Sequence, residues 1–285
     1  MRKALTLLML ALLVVLPLAG CGTATEKGGD TSQGAANNKP LKVGATAVPH
    51  AEILNEVVKP KLKEKGIDLE VVVFQDYVLP NTQLAEGALD ANYFQHIKWL
   101  EATNKEKGYK LVPVAGVHIE PLGLYPNKQK GYKSVNDLPD GATIAITNGA
   151  SEWLRVFRLL EAAGLIKLKD GVGEKVTEKD IVDNPKRIKF TQVDPAMLPR
   201  TLEDPKIDAA VINTNFAIEG GLVPIKDAIF REDETSPYVN VLVTREDNKN
   251  DPRIQELVNV LLSEDVKKYI EEKYKGAVLP AQKTF

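Results

Sequence analysis

From Ala4 to Ala19 the chain is apolar apart from Thr6, and no later segment repeats such a run. At roughly 16 residues it falls short of the about 20 that span a bilayer. Met1-Arg2-Lys3 places positive charge ahead of it, and Leu18-Ala19-Gly20 closes it with small residues. A charged start, a short apolar core and small residues before a cut describe an export signal over residues 1–20. The pattern then inverts, because Gly22 to Pro40 contains no large apolar residue. Such a stretch cannot bury enough surface to offset its ordering entropy. It predicts a flexible tether over 21–40, with a mean reach of about 24 Å.

From Leu41 onward, apolar runs of strand length alternate with amphipathic stretches. Leu41–Thr46 and Leu69–Phe74 read as strands, and between them Ile53, Leu54, Val57 and Val58 share one helical face. Pro80 and Asn81 open a helix that Gly87 closes, and Ala88–Phe94 returns as a third strand. Leu111–Ala115 and Gly123–Tyr125 flank a corner at His118-Ile119-Glu120-Pro121. This βαβαβ series favours parallel strands with helices on both faces. A polar link, Asn127–Asp140, leads to a second series. There Ala142–Ile146 is a strand, and Ser151–Ala163 is a helix stopped by Gly164. Arg187–Phe190 and Ala209–Ile212 are further strands around a helical stretch, Ala196–Leu202, and Val239–Val243 is a late strand. The chain then closes with helices carrying Ile254, Leu257, Val258, Leu261, Val266, Tyr269 and Ile270 as apolar faces. The expected organisation is an α/β protein of two lobes, 41–124 with 240–285 and 125–239, with a ligand cleft between them. In such sheets ligands bind beyond the carboxyl ends of the strands.

Composition narrows the function classes. Taking Arg2 and Lys3 away with the signal leaves 35 basic residues against 39 acidic, a formal charge of −4. No basic excess points to nucleic acid. Cys21 is the only cysteine, so an intramolecular disulfide or a cysteine–metal site is excluded. Its place right after Leu18-Ala19-Gly20 resembles the bacterial lipobox, in which the cysteine is acylated and becomes the mature N-terminus. That reading makes Cys21 the lipidation site and puts the protein on the extracytoplasmic face of a cell membrane. Stable anchoring takes at least two acyl chains, at about 0.8 kcal/mol per buried methylene.

Several segments together resemble one family. Gly44-Ala45-Thr46-Ala47-Val48-Pro49-His50-Ala51-Glu52-Ile53-Leu54 is similar to the opening of the NlpA/MetQ methionine-binding lipoproteins. Asp76–Asn81, Asp90–His96, Asp208–Asn213 and Ser236–Asn240 resemble its other signatures, in the same order. The resemblance covers residues 41–282. It implies a type II periplasmic-binding-protein fold that delivers an amino acid, expected to be L-methionine, to the permease and ATPase complex of an ABC importer, with no cofactor and no catalytic residue.

The resemblance also implies a site. Arg155 stands at the family's ligand arginine, where a guanidinium can grip a carboxylate through two parallel hydrogen bonds. Tyr77, Tyr93, Phe94 and His96 would form the side-chain slot, since aromatic rings suit a thioether. Alternation along the strand puts one of Tyr93 and Phe94 in the core. Asn213 and Asn240 end strands in the second half, and an amide orients a zwitterion without adding charge. Asn215 lies in the same loop as Asn213.

One span departs from the pattern. The family reads close to N-D-P-T-N-x-x-R, whereas this chain has Asn148-Gly149-Ala150-Ser151-Glu152-Trp153-Leu154-Arg155. Asn148, a candidate ligand residue, and Arg155 persist. Gly149 brings backbone freedom, and Glu152 and Trp153 are bulkier than what they replace. Facing the cleft, Glu152 would replace a neutral ammonium partner and Trp153 would narrow the slot. Facing solvent, they would leave methionine as the ligand. A methionine dipeptide or another apolar amino acid is the alternative cargo.

Other classes fit less well. The chain has no GxSxG elbow, P-loop, HExxH or nucleophilic cysteine. A metal receptor would use His50, His96 and His118, whose separations argue against a shared site and so for no metal. A surface adhesin would leave Arg155 and Asn240 unexplained.

Overall fold

A computed structural model describes residues 39–285; the export signal, Cys21 and the tether up to Asn38 lie outside the described residues. Among the described residues, no helix is long and apolar enough to cross a membrane.

In chain order the strands begin β1 (Leu41–Thr46), β2 (Leu69–Phe74), β3 (Ala91–His96), β4 (Leu111–Ile119) and β5 (Gly123–Pro126). They continue with β6 (Thr143–Thr147), β7 (Lys167–Leu168), β8 (Ile181–Asp183) and β9 (Lys189–Val193). The last are β10 (Ala209–Ile212), β11 (Phe230–Arg231), β12 (Val239–Arg245) and β13 (Leu279–Thr284). A six-stranded sheet runs β13-β4-β12-β3-β1-β2 and a five-stranded sheet runs β11-β5-β10-β6-β9. The hairpin β7-β8 stands apart.

β1 is parallel to β2 and β3, as the βαβαβ pattern predicts. β12, which is late in sequence, inserts between β3 and β4 and is antiparallel to both. That insertion carries the chain back to the first sheet and sets Asn240 opposite both His96 and His118. In the second sheet β6 is parallel to β9 and β10, while β5 pairs antiparallel with β10 and β11. The chain therefore crosses between the sheets twice, once between β4 and β5 and again between β11 and β12.

The predicted apolar faces are the core. Ile53, Leu54 and Val58 are fully buried with Leu41, Val43 and Ala45, and the C-terminal residues Ile254, Leu257, Leu261, Val266 and Ile270 pack into the same cluster. The second sheet is covered by Val156, Phe157, Leu159 and Leu160 from the helix Trp153–Ala162.

Three expectations need correction, and one element, a helix after β3, went unread. The stretch read as a corner at His118 is strand, because β4 continues to Ile119 under β12 and β13. A helix, Ile97–Lys107, follows β3 directly; only Leu100 on it is fully buried, which leaves little apolar periodicity to read. The chain ends in a strand after its last helix, and LPAQKT at the sheet edge carries no apolar alternation. The helix expected from Ser151 begins at Trp153, after a 3₁₀ turn at Ala150–Glu152.

Candidate functional site

A cavity of about 30 Å³, partly open to solvent, lies at the ends of strands from both sheets. Its first wall comes from the end of β3, where Phe94, Gln95 and His96 line it, with Trp99 one helical turn on. Tyr77, from the segment after β2, closes this side; its ring lies 6.2 Å from Phe94, 5.8 Å from Trp99 and 4.9 Å from Phe216. The Tyr77 hydroxyl donates to Asn215 Oδ1 at 2.6 Å. Burial, then the charges of Glu120 and Glu152, push its pKa well up, so it stays a neutral donor.

His96 occupies a defined tautomer. It caps the helix Ile97–Lys107, with its Nδ1 accepting the Trp99 backbone N–H at 3.0 Å. Its proton is therefore on Nε2, which donates to Glu152 at 3.1–3.2 Å. The β3 end is fixed from behind by a buried amide network, in which Asn81 and Gln95 bond reciprocally at 2.7–2.8 Å.

Glu120, one residue past β4, is the centre of a second network. Its Oε1 accepts from His118 Nε2 at 2.7 Å and from His50 Nε2 at 3.2 Å, while Oε2 accepts the Asn215 backbone N–H at 3.0 Å. Tyr93 O–H meets His118 Nδ1, and Thr46 O–H meets His50 Nδ1 at 2.8 Å. With those hydroxyls donating, both rings carry their proton on Nε2 and point it at the carboxylate. Burial lowers His50 to about 4 despite the pull of Glu120, and burial lowers His118 to about 3. Burial also pushes the Glu120 carboxyl up, opposed by His50, Arg155 and the Asn215 N–H.

His50, His118 and Glu120 offer ligand atoms within 4.8 Å of one another. The expectation that the histidines stand apart thus fails for His50 and His118; His96 is engaged elsewhere, with Glu152. Folding joins positions 68 residues apart by register between β4, β12 and the turn after β1, which no local spacing reveals. Every ring nitrogen of the pair already has a hydrogen-bond partner, so the trio is satisfied as a proton network without an ion.

The opposite wall comes from the segment after β6 and the start of the helix after β10. Glu152 and Arg155 face the cavity, with only 6% and 4% of their surface exposed. Burial alone would raise the Glu152 carboxyl, but His96, Arg155 and the Asn213 side chain outweigh it and hold it below the usual carboxylate range. Arg155 is more engaged than expected. Its Nε and Nη2 grip Glu232 at 2.9 and 2.6 Å, and Nη2 also donates to the Glu120 carbonyl at 2.8 Å. The two-pronged face that would hold a ligand carboxylate is thus on Glu232, which leaves Nη1. The guanidinium also stacks on Tyr238, 4.2 Å from the ring centre.

Of the candidate residues, the fold brings Tyr77, Phe94, His96, Arg155, Asn213 and Asn240 to the cavity. Tyr93 is not among the lining residues; alternation turns it into the core, where it meets His118. Asn148 is exposed and its backbone N–H bonds Val193. Trp153 turns away from the cavity to give its indole N–H to the Thr147 carbonyl at 2.9 Å. Gly149 sits at φ −76°, open to any residue, so its backbone freedom is unused. Sequence reasoning missed Trp99, Glu120 and Thr214 as wall residues. The signal for Glu120 was its spacing from His118, which places both on one face of an extended strand. Trp99 and Asn215 add buried donors, Nε1 and Nδ2, with no partner among the described residues.

Two sheets with a polar, aromatic-walled cavity at their strand ends define the class of periplasmic-binding-protein-like folds. Residues 41–282 match the model of the NlpA lipoprotein family. The chain is 45% identical to the methionine-binding lipoprotein MetQ of Bacillus subtilis, over 95% of this chain and 96% of the relative. A nutrient-binding protein of Burkholderia cenocepacia, solved with methionine bound, superposes with a TM-score of 0.80 at 42% identity, over 85% of this chain and 99% of that one. An ABC transporter periplasmic substrate-binding protein of Coxiella burnetii gives 0.78 at 40% identity, over 85% and 100%. The chain belongs to the NlpA lipoprotein family.

Proposed function

We propose that this protein is a membrane-anchored, extracytoplasmic receptor that captures methionine and hands it to an ABC importer. The observation that carries the reading is the cavity itself: an aromatic-walled space with acceptors on Glu120 and Glu152 and, on Trp99 and Asn215, donors that have no partner among the described residues. A free amino acid needs that combination, with carboxylates for its ammonium, N–H groups for its carboxylate and rings for a thioether. The relatives named for methionine support the same cargo. A surface adhesin has no use for such a cavity. We read the protein as a binder rather than a catalyst, since its buried carboxylates are tied to histidines that hold them in place.

Lipidation at Cys21, with export directed by residues 1–20, is part of this proposal. So are a division into two lobes that close on the ligand and a ligand set of Tyr77, Phe94, His96, Arg155, Asn213 and Asn240. Mass spectrometry of the small molecule released from denatured, purified protein tests the cargo, and methionine is the expected product. Release of a different molecule, with no heat of binding for methionine, would remove methionine as the cargo. Replacing Cys21 with alanine should move the protein from the membrane fraction to the soluble one.

A further inference from the structure

The span that departs from the family pattern puts an ionised carboxylate where the pattern has asparagine. That carboxylate, on Glu152, lies inside the cavity wall. Its effect begins with His96. Because Nδ1 is occupied by the Trp99 N–H, the only proton His96 can offer is on Nε2, and Glu152 takes it. A corner that would present a donor to the ligand therefore presents the remaining lone pairs of a carboxylate. The Arg155 guanidinium nearby favours the ionised carboxylate but gives its hydrogen bonds to Glu232 and the Glu120 carbonyl, so none of them covers the Glu152 oxygens. Glu120 adds acceptor character nearby. Unpaired charge in a buried site is costly, and a ligand carboxylate or a neutral acyl oxygen here would face an anion without a proton between them.

We propose that Glu152 is a specificity-determining residue that reserves this corner for a positively charged nitrogen of the ligand. It makes the receptor select free amines over their N-acylated counterparts. The donors of Trp99 and Asn215 then serve the carboxylate end. The inference rests on the amino-acid receptor reading above and names the charge class that the receptor accepts.

The test is a calorimetric series on the full folded domain with L-methionine, L-methioninamide and N-acetyl-L-methionine, repeated with L-leucine and N-acetyl-L-leucine. Wild type should bind N-acetyl-L-methionine about 100-fold more weakly than methionine, the scale of losing a charge-assisted contact in a desolvated site. It should tolerate methioninamide, which keeps the amine and loses the carboxylate charge. Glu152→Gln should narrow the acyl penalty about tenfold or more. Wild type binding both forms equally, or a penalty unchanged in Glu152→Gln while methionine still binds, overturns the inference and leaves the receptor reading intact. Discrimination for leucine with no methionine binding would support Glu152 and overturn the methionine cargo. No binding by any member overturns both. Should Glu152→Gln fail to fold by thermal melt, Glu152→Asn, which restores the residue of the family pattern, takes its place.

Discussion

Glu120 and Glu152 face one cavity from different sheets, and the fold holds them in opposite ways. Glu120 receives hydrogen bonds from His118, His50 and the Asn215 N–H, and burial still moves its carboxyl up against these and the Arg155 charge. Glu152 has His96 and the Arg155 charge close by, which outweigh burial and move it down. Burial alone therefore does not set the state of a wall carboxylate here; its balance against neighbouring hydrogen bonds and charges does. Both line the cavity, but Glu120 accepts from three protein donors and Glu152 from His96.

The largest effect expected on this contrast comes from Arg155→Ala. It removes the counter-charge of Glu232 and the donor to the Glu120 carbonyl, and it takes the nearest cation from Glu152. Breaking a buried pair in this way costs about 3–5 kcal/mol, to be read from urea unfolding. A loss below 1 kcal/mol would mean that the clasp is not structural.

Next is the acid response of the Glu120 side. Both histidines lie below their ordinary value of 6.5 in the fold, at about 4 and 3. Their stabilising contribution is complete above 6.5 and is lost as pH falls towards those values. The slope is at most about 1.4 kcal/mol per pH unit for each ring. Glu152, also depressed, loses its contribution in the same direction below the usual carboxylate range. Glu120 acts oppositely, stabilising at acid pH and less so as pH rises through its folded value. Unfolding free energies between pH 7 and 4 should fall steeply in wild type and more gently in His50→Gln; parallel curves would contradict the network.

Asn240→Ala is expected to weaken ligand binding by about 2 kcal/mol, since its Oδ1 accepts from His50 at 3.2 Å and its side chain lines the cavity. Unchanged calorimetric affinity would remove it from the site. The smallest change, Tyr77→Phe, loses one hydrogen bond to Asn215 and should cost about 1 kcal/mol in stability. No measurable change in the urea midpoint would show that the bond is replaced by water.

How much of this was legible in the sequence follows from how local each signal is. β1, β2 and β10 stand out because their apolar runs are short and bounded. The helix Ile97–Lys107 and the edge strand β13 lie largely at the surface, where burial leaves little pattern to read. At the site, Arg155 and Asn240 came from a resemblance, whereas the occupation of the Arg155 fork depends on Glu232, 77 residues away. The choice between Glu152 facing in or out needed the turn at Ala150–Glu152, which rotates Glu152 inward and Trp153 away.

Arg155 reaches both places where the chain passes from one sheet to the other, the Glu120 carbonyl at one crossing and Glu232 at the other. The same side chain thus sits on the cargo's wall and on the only two covalent routes between the halves of the described protein. Trimming Arg155 therefore removes bonds at both crossings at once, whereas Glu152, bonded to His96, belongs to neither, so the cavity wall can be altered there without touching the links between the sheets.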